Sequence, residues 1–148
     1  MNIIRTNSEN TDFIKLVALL DADLKFRDGE DHAFYAQFNK IDKIKYAVVA
    51  YENDIAVGCG AFREYSPNTV EVKRMYVSEN KRGKGIATQV LSELEKWAEE
   101  LNYARCLLET GKNQPEALGL YKKNGYSIVP NFGQYQNVDN SVCFEKNL

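Results

Sequence analysis

Through residues 69–77, T-V-E-V-K-R-M-Y-V, apolar and polar positions alternate as in a strand; from Ile86 the period lengthens to that of a helix. Ile86, Val90, Leu94, Trp97, Ala98 and Leu101 fall on one helical face, with Glu93, Lys96, Glu99 and Glu100 on the other. The same two periods organise the rest of the chain. NIIRT predicts a short first strand. Phe13, Leu16, Val17, Leu20 and Leu24 predict a helix over 12–26, with Thr11 placed to cap it. FRDGED breaks that helix, and a second, short one is expected over 32–38. YAVVAY (46–51) and residues 55–65 predict a hairpin around Glu52, Asn53 and Asp54, and SPN turns the chain into 69–77.

ARCLLE (104–109) reads as a buried strand, and Pro115 opens a helix that Asn124 and Gly125 close. YSIV and SVCFEK follow as strands, joined by PNFGQYQNVDN. A strand–helix–strand unit of parallel geometry beside antiparallel hairpins predicts a mixed α/β (α+β) sheet in one domain over residues 1–148.

Composition narrows the function classes. With 44% hydrophobic and 27% charged residues, 148 residues suffice for a packed core. A net charge of −2 gives no overall attraction to nucleic acid or an anionic membrane. The three cysteines, Cys59, Cys106 and Cys143, sit in apolar runs, which predicts reduced, packed thiols and a cytoplasmic setting. No apolar run approaches the ~20 residues that span a bilayer, and MNIIRTNSEN has no signal-peptide pattern. One histidine and scattered acids offer no metal-ligand cluster, so no metal is expected.

One local feature stands against the acidic whole. In KRGKGIATQVLSEL, Lys81, Arg82 and Lys84 crowd a helix start, where the dipole is already positive. Backbone N–H groups of a glycine loop opening a helix make an anion site; the plainer alternative is a solvated basic turn. A P-loop needs four residues between its glycines and a following Gly-Lys-Ser/Thr, which this chain lacks. A dinucleotide fingerprint fits Gly83 and Gly85 but meets Thr88 at its third glycine, although Glu109 mimics the ribose-binding acid. Five residues also separate the strand from Gly83. The third candidate is coenzyme A.

Arg82-Gly83-Lys84-Gly85-Ile86-Ala87 fits the [Q/R]-x-x-G-x-[G/A] signature of the GNAT superfamily of N-acetyltransferases. VEVKRMYV resembles that family's fourth strand, and NQPEALGLYKKNGY resembles its next motif. The three stand in the family's order, and the resemblance covers nearly the whole chain. It implies a mostly antiparallel sheet of six to seven strands with helices on both faces, splayed between strands 4 and 5. It implies acetyl-CoA as co-substrate and direct acetyl transfer to a primary amine through a tetrahedral intermediate.

By the same resemblance, the backbone of Arg82, Gly83, Lys84, Gly85, Ile86, Ala87 and Thr88 holds the pyrophosphate. Met75, Tyr76 and Val77 pair with the pantetheine arm and polarise the thioester carbonyl. Asn113 bonds the pantetheine or caps the following helix. Tyr121 protonates the departing thiolate, or is a core tyrosine. Glu71 takes the amine's proton, directly or through water, or forms a salt bridge with Lys73 or Arg74. Strand alternation places Glu71 on the face of Lys73, Met75 and Val77.

The acceptor's walls are expected in 26–32, where Asp28, Glu30 and Asp31 attract a cation, and in 131–137, with Phe132, Gln134 and Tyr135. A small amine or amino-acid derivative fits this reading. The alternatives are a non-catalytic acyl-CoA-binding module and a protein or peptide N-acetyltransferase. Family members often dimerise, so a homodimer is compatible with the resemblance.

Overall fold

The computed structural model describes residues 1–28 and 43–148. Its strands are β1 (Asn2–Thr6), β2 (Tyr46–Glu52), β3 (Ile55–Ser66), β4 (Thr69–Val77), β5 (Arg105–Gly111), β6 (Ser127–Val129) and β7 (Ser141–Asn147). Its helices are α1 (Thr11–Asp28), α2 (Ile86–Glu100) and α3 (Pro115–Lys123). The short helix expected over 32–38 lies outside the described residues. The strands form one sheet in the order β1-β2-β3-β4-β5-β7-β6. Only β4 and β5 run parallel among these pairs.

Both faces of the sheet are covered, and β2 shows why its sequence is apolar throughout. Val48 and Ala50 pack with Val90, Leu91 and Leu94 of α2, and Tyr121 of α3 joins that layer through Phe144. Ala47 and Val49 point the other way, against Phe13, Leu16 and Val17 of α1. A strand buried on both faces loses the polar half of its alternation.

Local chemistry sets the element ends. Asn53 and Asp54 have φ of 51° and 64°, the left-handed pair that closes a two-residue hairpin between Glu52 and Ile55. Asn10, not the expected Thr11, caps α1: its Oδ1 accepts the Phe13 N–H at 2.9 Å. Two adjacent cap-type residues give no basis in sequence for choosing between them.

All three cysteines are free and buried. Burial pushes the thiols of Cys59 and Cys106 up to about 12 and that of Cys143 to about 11. At pH 8 a thiol of pKa about 12 is thiolate in roughly 1 molecule of 10,000. A disulfide reagent at pH 8 is therefore expected to leave the native chain unlabelled and to label all three thiols after denaturation; rapid native labelling contradicts this packing. Above about pH 9 the unfolded thiols release protons that the native thiols keep, so their contribution to stability falls as pH rises from there towards 12.

The feature that shapes the site is a bulge in β4. Cys59 pairs with Tyr76, but Ala61 pairs with Lys73, so Gly60 faces both Arg74 and Met75. Arg74 has φ 63°, in the left-handed region, which costs about 1–2 kcal/mol for a bulky residue. Gly60 makes room: a Cβ there would stand 2.6 Å from Met75 Sδ and 2.8 Å from Leu94 Cδ1. The bulge overturns the alternation expected for β4. Met75 and Val77 join Val70 and Val72 in the layer under α2, whereas Tyr76 packs with the α1 layer. Glu71 and Lys73, alternating with Val70 and Val72, share that α1 face and not the face of Met75 and Val77.

Candidate active site

The parallel pairing of β4 with β5 runs from Thr69↔Arg105 to Val72↔Leu108 and stops there. Beyond it the two strands splay, and Arg74 and Met75 have no paired residue on β3 either. On the β3 side the Arg74 carbonyl accepts from Cys59 Sγ at 3.4 Å, whereas the edge of β4 towards β5 has no strand partner beyond Val72.

Two cavities meet at the splay. The larger, a groove of about 400 Å³, runs from Met75, Tyr76 and Val77 to Arg82, Gly83, Gly85, Ile86, Ala87 and Thr88. The smaller, a cleft of about 110 Å³, is lined by Glu71, Lys73, Arg74, Glu109 and Tyr135 among others. Leu20, Met75, Gln114, Ala117 and Tyr121 line both.

The glycine loop is built for backbone approach. Gly83 and Gly85 have φ of 79° and 82°, and a Cβ at either would meet nothing within 4 Å. The space before them is open, and the conformation selects glycine. Gly85 O accepts the Gln89 N–H at 3.1 Å, so the N–H groups of Ile86, Ala87 and Thr88 precede that helical bond at the groove end of α2.

The basic residues are more committed than the sequence suggests. Lys81 Nζ meets Glu52 Oε1 at 2.6 Å. Arg82 Nε donates to Val77 O at 2.9 Å, and its guanidinium lies 5.5 Å from the Tyr76 ring centre. Lys84 is exposed and outside the groove lining. Lys81 and Arg82 nevertheless both line the groove.

Tyr121 is buried at the junction of the cavities, its ring 5.7 Å from Phe144 and 5.8 Å from Tyr126. Burial, with the Glu109 carboxylate adding to it, pushes its phenol well above the usual tyrosine range. It therefore stays protonated at neutral pH.

Glu71 is 1% exposed. Arg63, directly opposite it on β3, donates from Nε at 3.0 Å and reaches from Nη2 at 2.8 Å, both to Oε1. Its other oxygen accepts from the Tyr135 hydroxyl at 3.3 Å and lies 3.9 Å from Lys73 Nζ. The expected salt bridge thus forms with Arg63 and Lys73, not with Arg74, which reaches back to Asp21 of α1. The carboxylate remains in the cleft lining, and among the described residues its Oε2 is held only by these long contacts. Tyr121 and Glu71 reach the splay from opposite faces of the sheet.

Other expected positions divide. Tyr135 lines the cleft and packs on Phe132, but Gln134 is not among the lining residues. Asn113 sits in an exposed turn; the N-cap of α3 is Gln114, which makes no side-chain capping bond. Phe26 is exposed near the end of α1, and Asp28 ends that helix; Glu30, Asp31 and His32 lie outside the described residues. Sequence reasoning missed Gln114 and the cleft's Lys73–Arg74 pair as lining groups. It treated Glu109 only as a dinucleotide mimic, yet Glu109 faces the cleft and accepts from Ser141 Oγ at 2.6 Å.

Comparison with known proteins bears on this arrangement. The model of the acetyltransferase (GNAT) family matches residues 14–126. The chain is 37% identical over 101 residues to the uncharacterized N-acetyltransferase YsnE of Bacillus subtilis, covering 67% of each chain. It is 35% identical over 102 residues to the IAA acetyltransferase of Azospirillum brasilense, covering 68% of this chain and 67% of that one. Among solved structures, a Klebsiella pneumoniae protein provisionally named an acyl-CoA N-acyltransferase superposes with a TM-score of 0.83 at 29% identity, over 99% of this chain and 97% of that one. The PaiA N-acetyltransferase of Thermoplasma acidophilum, solved with coenzyme A, shares the fold with a TM-score of 0.73 at 18% identity over the full length of both. With its splayed β4 and β5 and its glycine loop at the head of α2, the chain belongs to the GNAT family of acetyltransferases.

Proposed function

We propose that residues 1–148 act as one domain that moves an acetyl group from acetyl-CoA directly to the primary amine of a small molecule or amino-acid derivative. The observation that carries this is the meeting of a glycine-headed groove with a small polar cleft at Met75 and Tyr121. The groove takes the cofactor, with pyrophosphate on the backbone of the Arg82–Thr88 loop and pantetheine along Met75, Tyr76 and Val77. Asn113 contributes from the turn before α3. The thioester supplies the activated acetyl group.

At the bulge, backbone N–H groups of the unpaired segment stabilise the carbonyl oxygen as negative charge develops on it. Tyr121 gives its proton to the departing sulfur. The acceptor arrives as an ammonium, without a lone pair, and must lose a proton first; Glu71, directly or through water, takes it at Oε2. The acceptor is the partner in this reading, which involves neither nucleic acid nor membrane, and the setting proposed is the cytoplasm.

A screen of amines for acetyl-CoA-dependent thiol release tests the reading, and release that needs no acceptor speaks against direct transfer. With an acceptor in hand, Glu71→Gln is expected to lower kcat/KM by about 10²-fold or more and to remove the limb of the pH–rate profile that reports the base. A profile identical to that of the unsubstituted protein assigns the proton to water or to the substrate.

A further inference from the structure

We propose that the acceptor is amino-acid-like, carrying a carboxylate beside its amine, and that Arg74 receives that carboxylate in the cleft between β4 and β5. The inference rests on the cleft being the acceptor site, and it names what the cleft selects.

Arg74 is 5% exposed and lines the cleft. The bulge puts it there, with its φ of 63°. Among the described residues Arg74 makes one ion pair, from Nη1 at 3.4 Å to an Asp21 side chain that is 50% exposed. Nε and Nη2 are buried with no hydrogen-bond partner among the described residues. These two donors form one edge of the planar guanidinium, and that edge takes both oxygens of a carboxylate in parallel hydrogen bonds. A buried cationic edge left without partners is costly; Arg74 lines the cleft, and turning this edge, now closed to solvent, towards a carboxylate bound there would supply them.

The rest of the wall completes the pattern. Lys73 adds a second positive charge beside Arg74, while Glu71 and Glu109 line the same cleft as carboxylates. Both acids are braced by neighbours, Glu71 by Arg63 and Tyr135 and Glu109 by Ser141. A cavity of about 110 Å³ that carries both signs suits a small zwitterion better than a simple amine. The ammonium goes to the acids, where its proton is removed, and the carboxylate goes to Arg74.

The test is a panel of L-amino acids, each assayed for acetylation against its own carboxamide, alongside calorimetric titration with acetyl-CoA. The best acid is expected to exceed its carboxamide by about 10²-fold or more in kcat/KM, because the amide leaves the guanidinium edge unpaired. Arg74→Gln is expected to bring the two within about tenfold by raising KM for the acid, with acetyl-CoA affinity unchanged. Should that variant fold poorly, Arg74→Asn tolerates the left-handed backbone and makes the same comparison. A protein that binds acetyl-CoA yet acetylates acid and amide alike, or none of the acids, overturns the inference. So does a preference that survives in the variants. Failure to bind acetyl-CoA instead removes the underlying reading of the site.

Discussion

Replacing Tyr121 by phenylalanine is expected to lower turnover by about 10²- to 10⁴-fold while leaving acetyl-CoA affinity nearly intact. The ring is buried between Phe144 and Tyr126 and keeps those contacts as phenylalanine, so the fold is preserved. What disappears is an O–H at the junction of the two cavities, held protonated by burial and by Glu109. Expelling a thiolate into a buried site without a proton donor leaves a charge that nothing else in the site is proposed to neutralise. Steady-state thiol release measures the effect, and unchanged turnover removes Tyr121 from the mechanism.

Replacing Gly85 by valine is expected to act on binding rather than turnover. At φ 82° a side chain costs about 1–2 kcal/mol of backbone strain, and a β-branched one more. Gly85 is also the N-cap of α2, so relief of that strain would turn the first N–H groups away from the groove. The branched side chain would stand in the open space through which a pyrophosphate approaches the backbone. Together these predict at least about 10²-fold weaker acetyl-CoA binding, roughly 2.7 kcal/mol, from a chain that still folds. Normal affinity in the valine variant contradicts the pyrophosphate assignment. The two substitutions therefore separate cofactor binding from chemistry.

Much of this molecule was legible in its residues where period and punctuation agree. β4 spans Thr69–Val77 and α2 begins at Ile86, as the alternation and the change of period indicate. Pro115 and Asn124 bound α3 for the reasons of missing N–H and chain reversal. The family motifs carried the topology, including the splay after Val72 and Leu108.

The site's inner geometry was not legible, and the bulge is the reason. K-R-M-Y contains no glycine or proline to mark a break, and the compensation lies on another strand, in Gly60. Without it, Glu71 and Met75 fall on one face; with it, they reach the splay from opposite faces. The partners of Glu71 were hidden for a different reason. Arg63 and Tyr135 are 8 and 64 residues away, brought close by sheet register and by a loop. Arg74, which alternation puts in phase with Val70 and Val72, is brought to the cleft by the same extra residue.

Calorimetric titration of the unsubstituted protein with acetyl-CoA, with NADH in a parallel cell, reports whether the glycine loop and the β4 edge hold the cofactor as proposed. Micromolar binding of acetyl-CoA without heat from NADH is the predicted result. Binding of NADH alone would contradict the account, because the loop would then be a dinucleotide site and the roles proposed for Tyr121, Glu71 and Arg74 would fall with it.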